Sequence, residues 1–393
     1  MNILILGASG FIGNAIFHAL VSKHHVSIAG RTRIDGYGQW KHLDFSVDTN
    51  GDELLEGVEL VINAIGIIEG DFERIQTKGP IAFFESCIKK NIKILNISAV
   101  GAEKDLPPTR FLQSKKVTDD FLLQYENAKV VYPGIVIGRN GKSSQFFAAI
   151  AKMPVIPLLK DDSPFVHINQ LTALIIEIVD DFESHEKQIF ATSEKEGLKD
   201  VLMAMNGGKG IYIPVPRAIF QLFFGIFPKA TIGILSKDTL KLQAVISSSD
   251  YEPRFEKASL GIDPSDIIYS NVFVKGFALL AIMFIWVWSG ISSLVSWDSS
   301  YQLMQDLGAD DRISKMAIYL GSGADIVLGL AIYWRSQRRK VLIAQVLFIL
   351  TYMVILTVLA PHYWMDPLGT LSKNIPLLAL SYYLFQSESR TAD

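Results

Sequence analysis

Residues 7–13 read Gly7-Ala8-Ser9-Gly10-Phe11-Ile12-Gly13, and this stretch decides the fold of the first part of the chain. An apolar run, Asn2–Leu6, precedes it, a helix-like run, Asn14–Lys23, follows it, and a second apolar run, Val26–Ala29, comes next. In a strand–turn–helix–strand context, glycines at this spacing let the backbone approach a pyrophosphate, which then lies on the helix N-terminus. The residues expected at a nucleotide are Gly7, Ser9, Gly10, Phe11, Ile12 and Gly13. The alternative is a turn that only packs the helix on the strand.

The end of the second strand distinguishes between the two nicotinamide cofactors. It is followed by Arg31 and Arg33, and the nearest acid, Asp35, comes later. NAD sites usually place an acid here for the ribose hydroxyl, whereas an arginine can bind the 2′-phosphate of NADP. We therefore expect NADP(H), bound by Arg31 with Arg33 as a second candidate, and NAD(H) remains possible. Two solvated loop arginines are the alternative.

Alternating apolar and helix-like runs continue after these strands. A short strand is expected over 43–45, with Asp44 at the adenine edge, and further strands over 60–65, 92–97 and 128–132 alternate with helices over 79–90 and 110–125. Repeated strand–helix units predict an α/β fold with a doubly wound parallel sheet. This domain is expected to span residues 1–250, with a small substrate lobe at about 139–250.

Several of these segments resemble the extended and atypical short-chain dehydrogenase/reductases, and in particular the group that includes the nucleotide-binding accessory subunit of respiratory complex I. Besides the glycine turn, the segments that carry the resemblance are Asn63–Gly66, Asn96–Ala99, Phe111–Lys115, Pro133–Gly138 and Pro164–Ile168. The resemblance implies a Rossmann fold, an NAD(P) cofactor contacted by Ala64, Gly66 and Lys115, and a small-molecule substrate.

One position departs from the pattern of that superfamily. Its members use a Tyr-x-x-x-Lys pair, in which the tyrosine exchanges a proton and the lysine lowers the tyrosine pKa and holds the nicotinamide ribose. The chain retains Lys115 and a serine, Ser98, but carries Phe111 at the tyrosine position, and phenylalanine cannot exchange a proton. Tyr132 and His167 are the nearest candidates for a substitute, although structural roles are the simpler interpretation of both.

Composition excludes several other classes of function. A formal net charge of −3 without a long basic run gives no electrostatic surface for nucleic acid. A single cysteine excludes a disulfide framework and a cysteine-based zinc site, and no metal site is expected. The start of the chain lacks the basic region of a signal peptide, which places the first domain in the cytoplasm.

The last third of the chain is much more apolar than the rest. Residues 276–297 are 22 consecutive uncharged residues, long enough to cross a bilayer. After a linker over 251–271, the sequence predicts an all-α four-helix transmembrane bundle in residues 272–393. Its helices are expected at about 274–297, 314–334, 341–360 and 368–386.

The charges of the connecting loops predict the orientation of this bundle. The second loop contains Arg335, Arg338, Arg339 and Lys340, whereas residues 298–312 contain four aspartates and one arginine. The positive-inside rule then places both termini in the cytoplasm. A multi-pass integral membrane protein is therefore expected, and the family resemblances of the chain imply a bacterial inner membrane.

This part of the chain resembles the DoxX-like membrane family, whose four-helix modules are often linked to redox or quinone chemistry. The resemblance rests on the acidic loop and on residues 366–376. Asp325 lies within the second predicted span, where a carboxylate is costly unless it is paired, and Lys373 is a possible partner. The proline-interrupted segment 211–235 either lies on a membrane surface or forms an ordinary buried helix.

Three functions remain open at this level. The first is a membrane-anchored NADP(H)-dependent oxidoreductase that acts on an apolar, lipid or quinone-like substrate. The second is a non-catalytic protein that holds NADP(H) for structure, assembly or sensing in a membrane protein complex. The third is a nucleotide-sugar epimerase or dehydratase.

Overall fold

A computed structural model of the chain contains two compact units, residues 1–270 and residues 271–393. The structure describes residues 1–33, 39–47, 51–153, 155–158, 162–216, 218, 219, 221, 237–248, 251–263, 272–365, 369 and 371–389. Arg217, most of the apolar segment 211–235 and residues 366–368 of the DoxX-like motif lie outside these ranges.

The first unit is built on a seven-stranded sheet in which every pair of neighbouring strands is parallel. Its strands are β1 (Asn2–Leu6), β2 (His25–Gly30), β3 (Gln39–His42), β4 (Leu60–Asn63), β5 (Lys93–Ile97), β6 (Ala128–Pro133) and β11 (Gln188–Ala191). The strand order is β3-β2-β1-β4-β5-β6-β11, so that the order reverses between β1 and β4. Ligands of such sheets bind at the carboxyl ends of the strands beside this reversal.

Helices cover both faces of the sheet, as the prediction of a doubly wound fold requires. Helices α1 (Phe11–Leu20) and α5 (Ile168–Asp180) share one apolar core with the sheet. Helices α2 (Gly79–Lys89) and α3 (Arg110–Leu122) share a second core on the opposite face. The predicted fold class of this part of the chain is therefore confirmed.

One predicted strand is misplaced. The strand expected over 43–45 lies four residues earlier as β3, and Leu43 and Phe45 are instead buried in the second core. The apolar side chains that suggested a strand are used for packing after the strand has ended.

The smaller lobe of the first unit consists of short elements around a third apolar core. Its elements are β7 (Ile135–Ile137), α4 (Lys142–Ala151), β8 (Val155–Leu158), β9 (Asp162–Ser163), β10 (Phe165–His167), β12 (Glu196–Gly197), α6 (Leu198–Asn206), β13 (Ile211–Pro214) and α7 (Lys237–Ser248). Residues 251–263, at the start of the predicted linker, also pack in this unit, since Phe255 bridges to Ser193 and Ala258 is buried in the third core.

The second unit is helical. Its helices are α8 (Val272–Val295), α9 (Trp297–Asp306), α10 (Asp311–Ala331), α11 (Arg338–Leu359) and α12 (Asn374–Ser389). Among the described residues, three helical stretches are long and apolar enough to cross a membrane: Lys275–Val295, Asp311–Ala331 and Arg338–Leu359.

The fourth predicted span, 368–386, differs from the structure. Helix α12 begins at Asn374, and its 16 residues extend about 24 Å, less than the roughly 30 Å of a hydrocarbon core. The structure therefore supports three spanning helices and one shorter helix. The acidic stretch between the first two spans also contains a helix, α9, where the sequence suggested only a loop.

Close contacts and one buried ion cluster hold the second unit together. A Cβ on Gly290 would lie 2.5 Å from the Ser322 carbonyl oxygen, so that α8 and α10 approach each other where no side chain intervenes. At one end of the unit, Glu388 Oε1 lies 2.8 Å from Lys275 Nζ and 3.1 Å from an Arg338 guanidinium nitrogen. This cluster joins α8, α11 and α12.

The pairing considered for Asp325 is not formed. Asp325 on α10 is hydrogen-bonded to Ser289 on the neighbouring helix α8, whereas Lys373 is exposed close to the start of α12. A polar side chain on the adjacent helix therefore takes the place of the expected cation.

Candidate functional site

The glycine turn connects β1 to α1 in a conformation that side chains would obstruct. Gly7 has φ +80°, which L-residues rarely adopt, and a Cβ there would lie 2.9 Å from the Ile65 side chain. A Cβ on Gly13 would lie only 2.3 Å from the Gly7 carbonyl oxygen. The two glycines therefore allow α1 to begin directly at the carboxyl ends of β1 and β4.

The N-terminus of α1 is open to an anionic ligand. Its N-cap is Gly10, which offers no side-chain cap, and the first turn contains no acidic residue. Ser9 and Gly10 are exposed, and Phe11 and Ile12 are partly buried. Free amides and the helix dipole favour a phosphate at such a position, so this turn fits the pyrophosphate of a dinucleotide.

Phe11 connects the glycine turn to the smaller lobe. A Cβ on Gly138 would lie 3.2 Å from the Phe11 ring, and one on Gly141 would lie 2.9 Å from it. A pocket of about 120 Å³ lies here, and the residues that line it include Gly138, His167 and Asp263. This pocket is a candidate place for part of a substrate.

Arg31 and Asp44 lie where an adenosine end is expected. Arg31 is exposed immediately after β2, and Asp44 follows β3, the neighbouring strand. The pKa of Asp44 is lowered, chiefly by the hydrogen bond that the Ser46 backbone N–H donates to it at 2.8 Å, and further by the charge of Arg31. The structure thus brings both predicted residues to one corner of the sheet.

Lys115 is buried at the same edge of the sheet. Its ammonium donates hydrogen bonds to the carbonyl oxygens of Ile65 at 3.2 Å and Ile97 at 2.9 Å. These residues follow or end β4 and β5, and a Cβ on Gly66 would lie 3.6 Å from Lys115 Nζ. Ala64 and Gly66 therefore lie between the lysine and the glycine turn.

An aspartate that the sequence analysis missed completes this cluster. Asp119, which is fully buried, accepts hydrogen bonds from the Ser98 hydroxyl and, at 2.8 Å, from the Asn96 side-chain amide. Asn63 in turn donates to Asn96 at 2.8 Å. Asp119 lies four residues after Lys115, a spacing that places both on one face of a helix and that would have pointed to the pair.

Burial shifts the pKa values of both charged members of the cluster toward neutrality. Burial lowers the pKa of Lys115 to about 8, against the opposing effect of the Asp119 charge. Burial raises the pKa of Asp119 to about 7, although Ser98, Lys115 and Asn96 act in the opposite direction. Perturbed groups of this kind, close to a cofactor-binding turn, are typical of functional sites.

None of the other residues considered for proton exchange lies in this cluster. Phe111 lies on the same face of α3 as Lys115, one turn before it, and packs against the second core. Tyr132 is 1% exposed and stacks on Phe190, and burial raises its pKa further. His167 caps α5 by accepting a hydrogen bond from the Asn169 N–H, which is a structural role. In the described part of the chain, no three histidine, cysteine or acidic side chains form a group that could hold a metal ion.

Comparison with known families finds one match, in the second unit. The DoxX-like family matches residues 283–382, which include α9, α10, α11 and part of α8 and α12. Over these residues the second unit is similar to that family, and its three long apolar helices suit a membrane. No curated protein sequence matches the chain.

Solved structures resemble the first unit in fold. A hypothetical dTDP-4-dehydrorhamnose reductase from Sulfolobus tokodaii is 15% identical with a TM-score of 0.50, over 68% of this chain and 100% of that one. A nucleoside-diphosphate-sugar epimerase from Staphylococcus aureus is 16% identical with the same TM-score, over 64% and 93%. A UDP-glucuronic acid 4-epimerase from Bacillus cereus, solved with NAD, is 17% identical with a TM-score of 0.46, over 55% and 87%. The first two of these likenesses support a Rossmann-like fold for the first unit.

The contacts of Gly13 and Gly10 predict different effects of the same substitution. Gly13→Ala is expected to lower the thermal unfolding midpoint and to abolish dinucleotide binding, because its methyl group would push α1 away from the turn. Gly10→Ala meets only the Gly7 carbonyl, at 3.3 Å, so it is expected to keep the fold and weaken binding. Circular dichroism in mild detergent and titration with NADPH and NADH measure both effects. Wild-type cofactor affinity in Gly13→Ala would contradict the assignment of the turn.

Proposed function

We propose that the protein is a membrane-anchored, NADP(H)-dependent oxidoreductase that reduces a carbonyl group of an apolar or quinone-like substrate. The observation that carries this proposal is the buried cluster of Lys115, Asp119 and Ser98 at the sheet edge where the glycine turn lies. A cluster with this composition can hold and transfer a proton, although Phe111 cannot.

The cofactor fits the residues of this edge. The turn from Gly7 to Gly13 offers free backbone amides to the pyrophosphate, and Lys115 lies beside Gly66, where the resemblance expects it to hold the nicotinamide ribose. When bound, NADP(H) supplies or accepts a hydride. The protein must then provide the proton that accompanies the hydride to the carbonyl oxygen.

In our proposal, Ser98 and Asp119 supply this proton. In the structure the Ser98 hydroxyl donates to the Asp119 carboxylate, and once Asp119 is protonated this hydrogen bond would reverse. The Asp119 proton would then pass to Ser98 Oγ while the Ser98 hydroxyl proton passes to the substrate oxygen, and the carbonyl carbon would receive the hydride from bound NADPH. The carbonyl becomes an alcohol, and Asp119 is left ionised next to the Lys115 ammonium. The short Ser98–Asp119 hydrogen bond and the amide of Asn96 hold the carboxyl group in place for this step.

The second unit supports the choice of substrate class. A nucleotide-binding unit on the same chain as three membrane-spanning helices stays at the surface of a bilayer, where apolar molecules concentrate. A lipid or a quinone-like molecule satisfies this condition, whereas a water-soluble nucleotide sugar gains nothing from the anchor.

A non-catalytic role is the second candidate, and Phe111 is the observation that favours it. A protein that binds NADP(H) for structure, assembly or sensing needs the glycine turn and Lys115 but no proton donor. The two functions differ in one measurable property, the oxidation of bound NADPH by an added acceptor.

The proton route predicts a pH dependence for the proposed reduction. Asp119 is protonated below its pKa of about 7, so the rate of NADPH oxidation by carbonyl or quinone acceptors is expected to fall as pH rises through about 7. Asp119→Asn cannot release a proton and should lower the rate about 100-fold or more while NADPH still binds. Stopped-flow absorbance of NADPH in detergent-solubilised protein measures both effects.

Asp120→Asn is the matched control, because Asp120 is exposed on the same helix and pairs with Lys116. It is expected to leave the rate at low pH unchanged and to move the pH profile only slightly to lower pH, because the charge of Asp120 is the smallest of the effects on the Asp119 pKa. NADPH that binds but is never oxidised by any acceptor, together with new activity in Phe111→Tyr, would reject the oxidoreductase and favour the cofactor-holding role. A rate that Asp119→Asn leaves unchanged would reject only the proton route.

The position of Arg31 predicts the cofactor preference. Removing the guanidinium in Arg31→Ala is expected to weaken NADPH binding about 10- to 100-fold and to leave NADH binding unchanged, because a hydrogen-bonded charge contributes about 1.5–3 kcal/mol. Arg33→Ala, also exposed, should have a smaller effect. Isothermal titration with both cofactors measures this, and an unchanged preference in Arg31→Ala would assign the 2′-phosphate to another residue.

We also propose that both termini face the cytoplasm, since the basic loop over 335–340 favours that side and the first unit needs NADP(H) from it. Protease added to spheroplasts should then leave the first unit intact, and should cleave it once the membrane is permeabilised. Cleavage in intact spheroplasts would reverse the orientation. In the expected orientation, the acidic stretch over 298–312 lies on the opposite side of the membrane and is accessible to the added protease.

A further inference from the structure

Two short strands of the smaller lobe form a parallel pair with an unusual outer face. Val155, Ile156 and residues 157 and 158 of β8 lie opposite Ile211, Tyr212, Ile213 and Pro214 of β13. Side chains alternate between the two faces of a strand, so Ile156 and Tyr212 point together into the core of the lobe. Val155, Ile211 and Ile213 share the opposite face.

This opposite face is apolar and exposed. Val155 is 43% exposed, Ile211 64% and Ile213 46%, and Ile219, shortly after β13, is 57% exposed. A sheet with one face in the core and one in water normally carries polar side chains on the outer face. We call the surface formed by Val155, Ile211 and Ile213 the apolar patch, and its composition indicates a partner that covers it.

Two exposed lysines lie close to the apolar patch along the chain, and we call them its basic rim. Lys209 comes two residues before Ile211, and Lys152 comes three residues before Val155. The chain as a whole has a net charge of −3, so the positive charge is local. Apolar side chains within a basic rim match the interface of a membrane that contains anionic lipids.

The chain itself keeps this surface close to a bilayer. Residues 251–263 pack in the first unit, and the first membrane helix, α8, begins at Val272, nine residues after Asp263; two further helices are also long and apolar enough to span. A connection this short gives a weakly apolar surface a high effective concentration of lipid. A partner protein in solution has no such advantage.

We propose that the apolar patch and its basic rim dock on the surface of the bilayer that contains the second unit, with Ile211 and Ile213 inserted among anionic lipids. The other possible occupants are a second copy of the chain and the apolar residues of its own segment 218–228. The proposal does not depend on the oxidoreductase function, because it concerns only where the lobe rests.

Single-cysteine labelling of the full-length protein tests this docking. The chain has one cysteine, Cys87, which is fully buried, so a cysteine introduced by Ile211→Cys or Ile213→Cys can be labelled selectively with an environment-sensitive fluorophore. The labelled protein is placed in nanodiscs of phosphatidylglycerol and phosphatidylcholine, with and without brominated acyl chains. Val21→Cys is the control, because Val21 is 45% exposed directly after α1 in the first unit.

We expect blue-shifted emission and quenching by brominated lipid at positions 211 and 213, and neither effect at position 21. Quenching should decrease in nanodiscs of phosphatidylcholine alone and when Lys209→Glu is added, because both changes remove the charge attraction. Emission that is blue-shifted in nanodiscs but insensitive to brominated lipid would overturn the proposal. If that shift depends on protein concentration, a second copy covers the patch, and otherwise the chain's own segment does.

Discussion

The first unit depends on one close contact, between the backbone of α1 at Gly13 and the carbonyl of Gly7 at the end of β1. No other residue type fits, because a Cβ at position 13 would lie 2.3 Å from that oxygen. The contact lets the helix begin at the edge of the sheet rather than above it. Its free N–H groups therefore lie at the same edge as the carboxyl ends of β4 and β5, and the cofactor-binding turn and the buried charges share one place.

The buried charges are the second constraint. Removing both an ammonium and a carboxylate from water is costly, and a fold tolerates such a pair only when hydrogen bonds satisfy both groups. Here two strand-end carbonyls accept from Lys115, while Ser98 and Asn96 donate to Asp119. A pair whose pKa values approach each other near neutrality is suited to moving a proton, and it lies one helical turn from Phe111, where the superfamily that the sequence resembles has its tyrosine.

The two units differ in how far their apolar side chains are buried. The core of the first unit is built from strands buried on both faces, whereas the second leaves large apolar side chains such as Phe277, Leu320 and Val358 exposed along its helices. Such exposure is unfavourable in water and favourable in lipid. The apolar patch of the smaller lobe also exposes apolar side chains, although fewer of them. In our proposal the bilayer covers this patch, because the chain connects the lobe to the membrane helices.

The sequence by itself determined the order of strands and helices, the glycine turn and the strongly apolar spans, because these depend on local spacing and on length. It singled out Lys115, Ser98, Arg31 and Asp44 as candidate site residues, and all four lie toward the carboxyl edge of the sheet, since parallel strands end on one side. Only the tertiary structure decided that Asp119 joins Ser98 and Asn96, that Asp325 bonds to Ser289 rather than to Lys373, and that the last helix is too short to be counted as a span. These outcomes depend on which side chains meet across elements distant in sequence, and such meetings are set by packing rather than by local pattern.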